Sequence, residues 1–140
     1  MVGLGPGARS YTRSLHYSTE YAVGQPGVRA IIEDFNSCSS TDFARSNYGA
    51  ILDAEEQARR FIIKSLLRSD GLALGSYRER FGREVMVDFP ELTELAPLGL
   101  AAEEGGVLRL TAEGLSHSDT IGPWLYSEAA TARMNSYEFA

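Results

Sequence analysis

Several residue types are scarce in this chain of 140 residues, and each scarcity excludes something. There is one cysteine, Cys38, so no internal disulfide can form, and no thiolate set for zinc or an iron–sulfur cluster is available. Cys38 sits in Ser37-Cys38-Ser39-Ser40 and reads as an unreactive loop thiol. A chain with so little cysteine suits the cytoplasm. There are two histidines, His16 and His117, too few for a Cys/His metal site. No D-x-D-x-D-G loop occurs for calcium. No run of about 18 apolar residues occurs, which argues against a transmembrane helix. No basic start followed by an apolar core reads as a signal peptide. Positive charge is in deficit: the formal net charge is −6. Phosphate neutralisation needs clustered cations, so nucleic acid is not expected as the main partner.

What is present is an ordinary globular composition, 44% hydrophobic and 23% charged, long enough to bury a core. Residues 1–26, rich in Gly, Ser, Tyr and Arg, read as loop. Val28, Ile31, Ile32 and Phe35 fall at helical spacing and predict a short amphipathic helix over 27–36. The polar stretch 36–50 reads as a linker. Asp53 followed by Glu56 resembles a capping box, and Ala54, Ala58, Phe61, Ile62, Ser65 and Leu66 form one stripe, so the clearest helix is 54–69, ended by Gly71. Leu74, Tyr77 and Phe81 predict a second, shorter helix with Gly82 at its C′ position. A third is expected within 84–98, its buried side marked by Phe89, Leu92 and Leu95 and its regularity limited by Pro90 and Pro97. Residues 100–103 and 107–110 flank Gly105-Gly106, a two-residue hairpin signal. Thr111 can cap the next helix, whose segment carries Leu115, Ile121, Trp124 and Leu125. A last, weaker helix is expected at about 127–137.

Helix, short helix, helix, then hairpin is the order of a winged-helix domain, and residues 53–111 fit it. In that fold the third helix can read a DNA groove. Here it carries Glu84, Asp88, Glu91 and Glu94 against Arg83 alone, which would repel phosphate.

Three patterns carry possible chemistry. Gly3, Gly5 and Ala8 match G-x-G-x-x-A, a dinucleotide-binding variant, but no full strand precedes Gly3 and no apolar helical stripe follows. A tight turn after a strand is the expected reading. Arg9, Ser10, Tyr11, Arg13 and His16 follow the turn: two arginines could hold a carboxylate or phosphate, or simply be solvated. Ser116, His117 and Asp119 imitate a catalytic triad in sequence only, since triads are assembled from separate elements.

Two stretches point to a family. GLGPGARSY resembles the G-[IL]-G-x-G-A-H-S-Y segment of radical SAM proteins of the oxygen-independent coproporphyrinogen III oxidase-like family. EEQARRFIIKSLLRSDGLALGSYRERFG, then FPELTEL and GLAAEEGGVLRLTAEGLSHSD, are similar to that family's C-terminal domain. The resemblance covers most of 3–125. It implies a partial TIM barrel that holds a [4Fe–4S] cluster on C-x-x-x-C-x-x-C and cleaves S-adenosylmethionine. It also implies porphyrin, haem-related or methyl-transfer chemistry in the intact protein. This chain has no such cysteine motif, and Arg9 stands where the family has a histidine.

The expectation is therefore an α+β, mostly helical chain. Its domains would be 1–26, the tail of a radical SAM barrel; 27–52, a short helix and linker; 53–126, a winged-helix-like accessory domain covering the substrate; and 127–140, a C-terminal helix. The resemblance implies that Gly3, Gly5, Gly7, Arg9 and Tyr11 lie near the cofactor or substrate cavity of the intact enzyme. The chain would have no catalysis or resident cofactor of its own and a catalytic barrel as partner, encoded upstream or separately. The rival expectations are an acidic interaction protein and, less favoured by charge, a winged-helix DNA binder.

Overall fold

A computed structural model describes residues 1–18, 24–46 and 48–136. It is an α+β structure in two compact units. One comprises Met1–Gln57 with the chain end from Ala132, and the other is Ala58–Thr131.

The first unit holds a three-stranded antiparallel sheet of β1 (Ser10–Tyr11), β2 (Leu15–Ser18) and β3 (Tyr48–Ile51) in that order. Tyr11 faces His16, and His16 faces Ala50. The reading of 1–26 as loop and 36–50 as linker thus gives way at both ends of the sheet. These strands are two to four residues long and lack the alternation that marks a half-buried strand, so pairing partners far apart in the chain decide them. Helix α1 (Gln25–Ser37) spans the expected residues and begins with proline in its first turn, where a missing N–H costs nothing. None of its residues is buried, although Phe35 packs on Phe43 at 5.1 Å.

Helix α2 (Ala54–Leu66) starts as its cap predicts: Asp53 Oδ1 accepts from the Glu56 amide at 2.9 Å. Its apolar stripe buries Ala58, Ile62 and Leu66. The last expected turn is tighter, with the Arg68 amide donating to the Ser65 carbonyl at 3.2 Å.

The second unit contains every buried apolar residue among those described, from Ala58 to Leu125. A short strand β4 (Leu72–Ala73) leads into α3 (Leu74–Phe81), which ends at left-handed Gly82 as expected. The expected third helix is two pieces, α4 (Val85–Asp88) and a 3-10 turn over Pro90–Glu94. Pro90 has no amide to continue the ladder and disfavours helical backbone at Phe89. The buried side is as read: Phe89, Leu92 and Leu95 are all buried. The hairpin pairs β5 (Ala101–Glu104) with β6 (Val107–Leu110), and β4 closes the sheet in the order β4-β6-β5. Thr111 caps α5 (Ala112–Ser116), its Oγ1 accepting from the Gly114 amide at 3.0 Å. Helices α6 (Ser118–Trp124) and α7 (Glu128–Asn135) follow. Ile121 and Leu125 enter the core, whereas Leu115 and Trp124 of the same expected stripe are exposed. The break at His117 between α5 and α6 resets the helical phase, so a stripe drawn across it fails.

Candidate functional site

The glycine turn is compact. The Ala8 amide donates to the Gly5 carbonyl at 3.2 Å, and Gly5 and Gly7 have φ of 96° and 74°, the left-handed region that glycine enters freely. At Gly3 a side chain has no room: an added Cβ would lie 2.8 Å from both the Ala8 Cβ and the Arg9 carbonyl oxygen. The Gly3 amide donates to Ser10 Oγ at 2.9 Å, and Ser10 is the one buried polar residue among those described. Met1 pairs with Tyr11 in both directions, its amine donating to the Tyr11 carbonyl at 3.0 Å and its carbonyl accepting from the Tyr11 amide at 2.8 Å. The turn therefore joins two extended arms. A strand follows it, not the helix that the dinucleotide fingerprint requires.

Among the five residues singled out, Gly3, Gly5 and Gly7 build this turn. Arg9 is exposed beside it, and Tyr11 stacks on His16 with ring centroids 4.2 Å apart and planes 14° from parallel. The geometry offers a cation and a stacked aromatic pair next to a close-packed backbone. That is binding capacity, without a nucleophile–base pair.

The apparent triad is not one. Ser116 Oγ donates to the Glu113 carbonyl at 2.7 Å, and His117 Nε2 lies 3.1 Å from the Glu113 carboxylate on the same exposed helix face. Cys38 is half-buried, and its thiol pKa is raised by desolvation and then by the carboxylates of Asp34 and Asp42. A raised pKa leaves less thiolate at neutral pH. Iodoacetamide is accordingly expected to alkylate Cys38 more slowly at pH 7.5 than it alkylates an unstructured cysteine peptide. A rate equal to the peptide's would show that the folded chain does not suppress the thiolate.

A cluster that sequence spacing did not reveal lies in the second unit. Tyr77 is fully buried, packed near Phe61, Phe81 and Phe89, and its hydroxyl donates to Asp88 Oδ2 at 2.6 Å. Arg83 Nε reaches the same carboxylate at 3.2 Å. Desolvation first, then the hydrogen bond to Asp88, pushes the Tyr77 phenol well above its usual range. Glu84 is bound by Arg78, whose hydrogen bond holds its carboxyl below the usual range. Arg59 spans Glu91 at 3.5 Å and the Leu125 carbonyl at 3.1 Å, with its guanidinium over the Phe89 ring. Three of the four acids counted against Arg83 alone thus have arginine partners. Two of those arginines come from α2 and α3, at separations no periodicity exposes.

Most of the family signal falls on this second unit. Residues 52–117 match the family model described as the HemN C-terminal domain. The segment is similar to a HemN C-terminal domain. The match is consistent with the C-terminal part of an oxygen-independent coproporphyrinogen III oxidase-like radical SAM protein. No curated protein and no solved structure matches the chain.

That family's cluster takes thiolate ligands, and the residues here do not fit it. Cys38 is the single cysteine, and among the described residues no three His, Cys, Asp or Glu side chains gather in a metal-holding group. No helix among the described residues is long and apolar enough to cross a membrane.

Proposed function

We infer that this chain is the C-terminal part of a coproporphyrinogen III oxidase-like radical SAM enzyme, a cytoplasmic protein of porphyrin, haem-related or radical methyl-transfer chemistry. The HemN C-terminal domain at residues 52–117 carries the inference. In this reading residues 53–126 are a winged-helix-like accessory domain that closes over the substrate. Helices α2, α3 and α4, followed by the β5-β6 hairpin on which β4 pairs, support that description. Residues 1–26 are the tail of the catalytic barrel. Gly3, Gly5, Gly7, Arg9 and Tyr11 face the cofactor or substrate cavity of the assembled enzyme, and the barrel supplies the thiolates that this chain lacks. The unburied α1 helix and the small β1-β2-β3 sheet, which among the described residues contribute none to the apolar core, support a larger partner for this unit.

The test has two parts. The purified chain, treated with iron and sulfide under anaerobic conditions, is expected to show no four-iron absorbance and no cleavage of S-adenosylmethionine. A stable cluster with cleavage would overturn the accessory role. Reading the genomic DNA upstream of the Met1 codon is expected to reveal an in-frame barrel with C-x-x-x-C-x-x-C. A stop codon and ribosome-binding site there would favour the second reading, an acidic partner of a separately encoded barrel.

A further inference from the structure

The second unit is electrically lopsided. From Glu84 to Glu128 the sequence holds nine acids and a single arginine, Arg109. Three of those acids are matched by arginines within the unit, at Glu84, Asp88 and Glu91. Glu94, Glu103 and Glu104 are exposed and have no ion-pair partner among the described residues.

Two large apolar side chains are exposed in the same stretch of the chain. Leu98 is 66% exposed and Leu115 is 45% exposed. The loop bearing Leu98 and the helix bearing Leu115 are stitched together. Thr111 Oγ1 donates to the Gly99 carbonyl at 2.8 Å, and the Thr111 amide donates to the Leu100 carbonyl at 3.0 Å. Gly114 approaches so closely that an added Cβ would overlap the Leu100 carbonyl. The backbone under both leucines is therefore fixed, and displaying them costs little ordering on binding. Glu94 precedes this loop, Glu103 and Glu104 follow it on β5, and Glu113 lies on α5.

We propose that the seam between loop 95–100 and α5 docks a basic amphipathic helix of a partner protein. Exposed apolar side chains need a cover, and charge selects it. A nucleic acid or an anionic membrane would be repelled by the acids that flank the seam in the chain. A second copy would bring the same acids against themselves, because a two-fold contact pairs a patch with its like. A helix with an apolar stripe between lysines or arginines satisfies both features.

The test uses the full chain and a fluorescein-labelled leucine–lysine amphipathic peptide of about 18 residues, long enough to hold a helix. Fluorescence anisotropy is expected to show saturable binding that weakens as salt rises from about 50 to 200 mM. The matching leucine–glutamate peptide is expected not to bind. Leu98→Ser with Leu115→Ser is expected to weaken binding about tenfold, with circular dichroism unchanged because both side chains are exposed. Glu103→Lys with Glu104→Lys is expected to weaken it more. Glu33→Lys with Asp34→Lys makes the same charge change on α1 and is expected to shift affinity less than about twofold. Equal weakening by the α1 variant, or no effect of the leucine variant, would reduce the binding to unspecific charge attraction and overturn the proposal. Concentration-dependent dimerisation abolished by the leucine variant would assign the face to a second copy and overturn it as well.

Discussion

Gly114→Ala is expected to cost about 3 kcal/mol or more, a sizeable share of the stability of a domain this small. The added Cβ would overlap the Leu100 carbonyl oxygen and stand 2.9 Å from its carbon. Backbone atoms, unlike the tip of a flexible side chain, cannot rotate aside. The Leu100 carbonyl is held by the Thr111 amide, and β5 begins at the next residue, so relief would break the Thr111 contacts or shift the hairpin. A urea or thermal melt reads the loss, about 4–8 °C for each kcal/mol in a unit of this size. Gly75→Ala is the control. A Cβ there meets nothing within 4 Å, and its position inside α3 makes a gain of up to about 1 kcal/mol the expected result. Similar melting temperatures for the two variants would show that α5 does not press on the loop as described.

The second large effect lies at Tyr77, and two substitutions separate its parts. Tyr77→Ala removes a fully buried ring next to Phe61, Phe81 and Phe89, with an expected cost of about 3–5 kcal/mol. Tyr77→Phe keeps the ring and removes the donor to Asp88, which retains Arg83, so about 1–2 kcal/mol is expected. The pH dependence carries a sign. The phenol binds its proton more tightly in the folded chain than in the unfolded one, where the pKa is near 10. Its contribution is thus complete below about pH 10 and is lost progressively as pH rises further. Urea midpoints are expected to fall above that pH, and Tyr77→Phe is expected to flatten the fall. An unchanged alkaline slope in the variant would mean that Tyr77 ionises alike in both states.

The elements that local chemistry dictates are legible in the sequence alone. Asp53 caps α2, Gly82 ends α3, Gly105-Gly106 turns the hairpin and Thr111 caps α5, each through contacts within a few residues. The family resemblance rests on the glycine turn and on this same stretch, whose motifs are these caps, turns and buried positions. The glycine turn was legible as a turn, since its left-handed backbone demands glycine.

The tertiary structure decided what depends on distant partners. The strands β1, β2 and β3 have no pattern of their own and exist because residues 15–18 meet 48–51. Asp88, Glu84 and Glu91 read as a repulsive acidic helix until Tyr77, Arg83, Arg78 and Arg59 are brought to them. The helix break at His117 buries Ile121 while leaving Leu115 in water. Caps and turns close over a few residues at little entropic cost, so they are written locally. Ion pairs, sheet partners and the choice of which apolar side chain is covered require the chain to return on itself, and only the folded core sets those meetings.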